Sequence, residues 1–119
     1  MGEEIAAKHL RRSRFKVLYR NFRAPTGGEV DIVCRDRDTD DLVFVEVKTR
    51  QTRNFGDPSE AVNRDKQELI ARGALAWLRM LGFPDIRYRF DIVEVVISSG
   101  GREVSVLKNA FTLPERYRT

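Results

Sequence analysis

The sequence predicts a mixed α/β layer structure in a single domain spanning 1–119, and three observations carry that prediction. Two stretches space their apolar residues at helical intervals: one near the start and one beginning around Asn63. Five others alternate apolar and polar residues or run β-branched, bounded by turn-forming residues. The length of 119 residues suits one domain, whose core buries about two-thirds of the surface that its unfolded chain exposes.

The elements follow in order. From about Glu3 to Arg12, Ile5, Ala6, His9 and Leu10 recur at helical spacing. Phe15, Val17 and Leu18 lead into a strand running to about Phe22, and Pro25-Thr26-Gly27-Gly28 is a turn by composition. Glu29–Arg35 and Leu42–Arg50 read as two strands joined by the polar run Asp36 to Asp41, the pattern of an antiparallel hairpin. Asp57-Pro58-Ser59-Glu60 has the chemistry of a helix start, with Asn63 as a second cap just downstream. The long helix that follows carries Val62, Leu69, Ile70, Ala74, Trp77, Leu78 and Leu81 and is closed by Gly82 and Pro84. Ile86–Ile97 and Glu103–Lys108 are the last two strands, separated by Ser98-Ser99-Gly100-Gly101.

Composition narrows the function. Apolar residues make up 41% and charged residues 34% of the chain, a globular balance. No apolar run reaches the roughly 20 residues that a membrane span needs, and the charged opening MGEEIAAKHLRRSRF has no apolar signal core. One cysteine, Cys34, excludes an internal disulfide and a cysteine-built zinc cage, and it reads as a small core residue. The expectation is a soluble, cytoplasmic domain with no membrane partner. The net charge of +4 is unevenly spread, with +5 over 1–23, −3 over 24–86 and +2 over 87–119. Seventeen of the 22 basic residues are Arg, whose planar fork suits phosphate. A phosphate-binding rim around a metal-binding centre fits this pattern, and so does an ordinary solvated surface.

The informative stretch is Gly28-Glu29-Val30-Asp31-Ile32-Val33 followed by Val43-Phe44-Val45-Glu46-Val47-Lys48-Thr49-Arg50. Strand side chains alternate, so Glu46 and Lys48 share one face, about 6.6 Å apart along the strand, with Val43, Val45 and Val47 opposite. On the preceding strand Val30, Ile32 and Cys34 share a face, and Glu29, Asp31 and Val33 share the other. A symmetric hairpin sets Asp31 across from Glu46 and Glu29 across from Lys48. Two facing carboxylates destabilise a sheet unless a cation lies between them or they share a proton. Oxygen ligands with no His or Cys cluster favour Mg²⁺ or Mn²⁺. Lys48 would orient an attacking water and offset charge on a phosphate. The plain alternative is a solvated hairpin face with cross-strand ion pairs.

Beyond this hairpin, Glu3-x-x-Ala6-x-x-x-Leu10, Phe15-x-Val17-Leu18-x-x-Asn21, Phe44-Val45-Glu46-Val47-Lys48-x-Arg50, Phe55-Gly56, Glu60-Ala61-Val62, Lys66-Gln67, Arg89-Phe90-Asp91 and Asn109-Ala110-Phe111 extend over essentially the whole chain. With Gly28 to Val33 they resemble the YraN family of bacterial endonuclease-like proteins. The resemblance implies a restriction-endonuclease-like three-layer fold of the PD-(D/E)XK superfamily, with a mixed central sheet and the order α-β-β-β-α-β-β. It implies similarity to archaeal Holliday-junction resolvases. It makes Asp31 and Glu46 metal ligands together with the backbone carbonyl of Val47, and Lys48 the catalytic lysine. Glu3 matches the first-helix carboxylate that relatives use as an added ligand or orienting group.

The Asp36 to Asp41 run lacks the Gly and Glu of a calcium loop and reads as solvated. His9 reads as a packed or surface residue rather than a ligand, and Trp77 as a core residue. Lys66 is either a polar contribution to the site from the second helix or a surface lysine. Arg50 and Arg53 are the foremost candidates for phosphate contacts, with Arg11 and Arg12 extending that surface. The expected function is a Mg²⁺- or Mn²⁺-dependent endonuclease hydrolysing phosphodiester bonds in nucleic acid, with DNA, branched DNA included, as the substrate and a second copy of the chain as a candidate partner. The alternative is a non-cleaving nucleic-acid-binding or scaffold module on the same fold, and a weaker third reading is a protein-interaction domain.

Overall fold

The computed structural model describes residues 2–51 and 62–117. Its elements are α1 (Gly2–Arg12), β1 (Phe15–Arg23), β2 (Glu29–Asp36), β3 (Leu42–Arg50), α2 (Arg64–Met80), β4 (Tyr88–Ser98) and β5 (Gly101–Phe111), with a short 3-10 turn over Glu115–Tyr117. The order read from the sequence holds. The five strands lie in one sheet in the order β1-β2-β3-β4-β5. All neighbours are antiparallel except β3 and β4, which run parallel and are joined by the crossover through α2.

The helices cover opposite faces, which makes three layers. Ala6, Ala7 and Leu10 of α1 pack with Phe15, Ile32, Cys34, Val43, Val45, Val93 and Val95. Ile70, Ala71, Ala74 and Leu78 of α2 pack on the other face with Phe22, Val33, Phe44, Phe90 and Ile92. A strand buried on both sides has no polar face, so the centre of the sheet reads as continuous runs of Val, Ile and Phe. Trp77 closes one end of the second core, with ring centroids 5.2 Å from Phe22 and 5.7 Å from Tyr19. Cys34 is buried in the first core, as read from the sequence.

Several boundaries differ from the sequence reading. The helix α2 starts from Asn63, whose side chain accepts from the Lys66 N–H at 2.9 Å; the start read at Asp57-Pro58-Ser59-Glu60 lies outside the described residues. The strand β4 begins at Tyr88, because Pro84 and Ile86 close a turn after Gly82, which takes φ +77°. At the far edge β5 is longer than the apolar pattern indicated, since an edge strand needs no alternating core face to keep its ladder.

The Asp36 to Asp41 loop is solvated over 37–40, as read from the sequence, but not at its first residue. Asp36 is fully buried and accepts from Arg89 Nη2 at 2.8 Å, while Arg89 also donates to Asp41 and Asp91. Burial pushes the Asp36 carboxyl up, but Arg89, the Asp38 N–H and Lys108 outweigh it and hold the group at about 2. This network ties the hairpin loop to β4 and β5 at the end of the sheet away from Glu46 and Lys48.

Val30 also departs from its expected face. It packs with α2 rather than beside Ile32 and Cys34. Asn21 takes φ 55° in the middle of β1, and the backbone of Glu29 runs so close to α2 that a Cβ on Gly73 would meet Glu29 N at 2.8 Å and Val30 Cγ2 at 2.9 Å. These irregularities turn the start of β2 under the helix.

Candidate active site

The hairpin register is the symmetric one. Ile32 pairs with Val45, Val33 with Phe44, Cys34 with Val43 and Arg35 with Leu42, and one further step sets Asp31 across from Glu46. The ladder ends at Ile32 and Val45. Beyond it the backbone N–H of Val47 donates to Asp31 Oδ2 at 2.8 Å, so a side-chain carboxylate takes the place of the next strand carbonyl. The two strands part here, and Asp31 and Glu46 stand in the mouth they leave.

Glu46 is 4% exposed and follows the apolar run Leu42-Val43-Phe44-Val45. Burial, then the hydrogen bond and charge of Asp31, push its carboxyl up to about 8 despite the lowering by Lys66 and Lys48. Its Oε2 has no hydrogen-bond partner among the described residues. A buried carboxyl oxygen without a hydrogen bond, beside a second carboxylate, fits a hard cation, which takes oxygen ligands and completes its shell with water. Of the donors expected from the sequence, the structure brings the Asp31 and Glu46 carboxylates together, with the Val47 N–H on Asp31. Among the described residues no three His, Cys, Asp or Glu side chains form a cage by themselves.

Lys48 lies two residues past Glu46 on the same strand face, half-buried, and forms no ion pair with any described residue. Glu29 does not face it. The ladder has already ended, and the Glu29 carboxylate instead takes Arg23 at 2.8 Å and Lys66 at 2.9 Å. Lys66 comes to the site: its Nζ stands 3.6 Å from Glu46 Oε2. Burial opposes its charge, but Glu29 and Glu46 together hold its pKa above the ordinary value.

The remaining candidates fall elsewhere. Glu3 belongs to α1, on the opposite face of the sheet, and its carboxylate pairs with Arg20 at 3.3 Å. The start of α1 does reach the end of β3, where a Cβ on Gly2 would run into the Thr49 side chain. Arg11 and Arg12 are exposed in the last turn of α1. Arg53 lies outside the described residues. Arg50 is turned inward rather than standing on a rim: its side chain is 8% exposed and pairs with Glu94 at 3.3 Å. A buried carboxylate on the central strand demands a cation beside it, and Arg50 meets that demand.

Sequence reasoning missed Glu94. It sits beside Lys48 in the parallel β3–β4 register and on the same side of the sheet as Ile92 and α2. The signal was a lone acid inside the apolar run Ile92-Val93-Glu94-Val95-Val96.

With this geometry in place, the chain can be set beside known proteins. A family model described as uncharacterised protein family UPF0102 matches residues 2–95. A UPF0102 protein of Geobacter sulfurreducens is 47% identical over 113 residues, covering 94% of this chain and 86% of that protein. One from Pelobacter propionicus is 44% identical over 113 residues, covering 94% and 80%. One from Acetivibrio thermocellus is 40% identical over 116 residues, covering 93% and 88%.

Proposed function

This chain belongs to the uncharacterised protein family UPF0102, the YraN family that its motifs resembled, and we propose that it is a divalent-metal-dependent endonuclease acting on DNA, with a restriction-endonuclease-like fold. The observation that carries the reading is the pair at the mouth of the hairpin. Asp31 is fixed by the Val47 N–H beside a buried Glu46 whose Oε2 accepts no hydrogen bond from the described residues and has only Lys66, at 3.6 Å, for a counter-charge. Facing carboxylates are costly on a sheet, and a bound Mg²⁺ or Mn²⁺ removes the cost.

When bound, such an ion supplies charge neutralisation at a phosphate and a more acidic water. The chain's own residues do the rest. Asp31 and Glu46 present oxygens from two strands held in fixed register, so the site needs little rearrangement on binding. Lys48, without a carboxylate partner among the described residues, is left to donate to a phosphate oxygen or to orient the attacking water. Lys66 and Glu29 border the pair on the α2 side and keep further charge balanced.

The test is calorimetric titration of Mg²⁺ and Mn²⁺ into wild type and Asp31→Ala, paired with cleavage of linear, flapped and four-way DNA. Binding lost in the variant, with cleavage by wild type alone, is the expected result. Absence of metal binding even with DNA present would overturn the reading.

One observation favours a second reading, a nucleic-acid-binding module that does not cleave. Lys66 Nζ already stands 3.6 Å from Glu46 Oε2 and partly supplies the positive charge that an ion would bring. Steeply salt-dependent DNA binding that ignores both Mg²⁺ and Asp31→Ala would single it out.

A further inference from the structure

We propose that the groove between the end of β1 and the C-terminal half of α2 holds an unpaired nucleotide of the substrate, its base on an apolar floor and its phosphates at Arg72 and Arg79. This inference rests on the endonuclease reading and names the part of the substrate beside the cleaved bond.

The groove encloses about 720 Å³, within the range of small-molecule sites. Phe22, Leu75 and Met80 supply apolar surface, Arg23, Arg72 and Arg79 supply three guanidinium groups, and none of the described residues lining it is acidic. Such a groove takes an anion that carries a flat apolar body. An unpaired nucleotide is that chemistry, because a base inside a duplex keeps its faces stacked and out of reach.

Arg72 adds a second, independent sign. It forms no ion pair with any described residue, and its Nε is buried with no hydrogen-bond partner among them. A buried donor without an acceptor is costly, and a phosphate can accept from two nitrogens of one guanidinium through two of its oxygens.

The groove also connects to the carboxylate pair. Arg23 Nη1 lies 2.8 Å from Glu29 Oε2, Lys66 Nζ lies 2.9 Å from Glu29 Oε1, and the same Nζ lies 3.6 Å from Glu46 Oε2. Lys66 and Arg72 are on one helix, about 9 Å apart along its axis at 1.5 Å per residue. A strand that places a phosphate at Asp31 and Glu46 can therefore run along α2 with its next nucleotides over the groove. The fitting substrate has a single-stranded segment next to the scissile bond, as in a flap or fork.

The experiment measures anisotropy of fluorescein-labelled oligothymidylate and of a blunt duplex of equal length, in chelator at low salt, where no cleavage occurs. Arg72→Ala/Arg79→Ala and Met80→Asp should each weaken oligothymidylate binding about tenfold, a loss near 1.4 kcal/mol, and weaken duplex binding less. Arg37→Ala/Arg102→Ala, which removes the same charge from exposed positions elsewhere, should weaken it less. Arg79→Ala alone, at an exposed position, guards against misfolding, and thermal melts verify each variant. Equal losses in both double variants would overturn the proposal, as would wild type that does not bind oligothymidylate. Arg72-dependent binding of polyglutamate as tight as that of oligothymidylate would overturn it in favour of a protein partner. Metal-dependent duplex cleavage that persists beside unchanged oligothymidylate binding in the variants would overturn the groove while leaving the endonuclease reading intact.

Discussion

Val47 donates its backbone N–H to Asp31 Oδ2 at 2.8 Å, one residue beyond the last registered pair on β2 and two beyond it on β3. A carboxylate that closes a ladder is held by main chain and not only by its neighbours' rotamers. The same device recurs at Asp91, whose Oδ1 accepts from the Asn109 N–H at 2.9 Å where the β4–β5 register shifts. At Asp91 the carboxylate is consumed by Arg89; at Asp31 it faces Glu46 in an open mouth.

Asp31→Asn should separate the two jobs of this side chain. Asparagine keeps an acceptor for Val47 but loses the charge, so melting temperature stays near wild type while Mg²⁺ binding disappears. Asp31→Ala loses both and should cost about 1–2 kcal/mol besides. Thermal melts beside metal titrations check the split.

Lys48→Ala should reduce turnover roughly 10²- to 10³-fold, the typical cost of removing one preorganised charge donor. Stability should hardly change, because Lys48 forms no ion pair with a described residue. Equal rates for the two proteins would remove Lys48 from the chemistry.

The Asp36 network predicts how acid unfolds the protein. The folded carboxyl titrates at about 2, against an ordinary 3.8. A depressed carboxyl stabilises the fold fully above its unfolded value and loses that contribution as pH falls through the folded one. Stability should therefore decline between about pH 4 and pH 2. Asp36→Asn should flatten that decline and cost about 3–5 kcal/mol at neutral pH, by leaving a buried guanidinium short of a partner. Urea titrations at stepped pH measure both.

Gly73→Ala tests the close approach of α2 to β2. Alanine is the better helix former by about 1 kcal/mol, yet its Cβ would meet Glu29 N at 2.8 Å. The steric cost should exceed the propensity gain, giving a net loss of about 1–3 kcal/mol in urea denaturation.

Cys34 should resist thiol reagents in the native protein. Burial, with Asp91 and Asp36 adding to it, pushes the thiol up to about 12, so almost no thiolate is present at neutral pH. Reaction should follow global unfolding, which a denaturant series with a chromogenic disulfide will show.

Much of this was legible in the chain. The alternation Val43, Val45, Val47 against Phe44, Glu46, Lys48 gave the faces of β3, and the length of the Asp36–Asp41 loop gave the hairpin register that sets Asp31 across from Glu46. What stayed hidden depends on contacts between residues far apart. Nothing near Asp36 announces Arg89, 53 positions away, so a buried anion looked like a solvated one. Arg50 looked like a rim arginine for the same reason, since Glu94 meets it from another strand. Val30 broke the alternation because Asn21 and the close approach at Gly73 bend β2 locally, and period-two reasoning assumes an unbent strand.

The closeness of α2 to β2 at Gly73 has a mechanical meaning. Gly73 lies seven residues from Lys66 and seven from Met80, so each arm is about 10 Å long at 1.5 Å per residue. The helix is pinned near its midpoint like the beam of a balance. A side chain at position 73 that lifted the helix there would shift Lys66 and Met80 together, so one small residue at the middle sets the height of both ends.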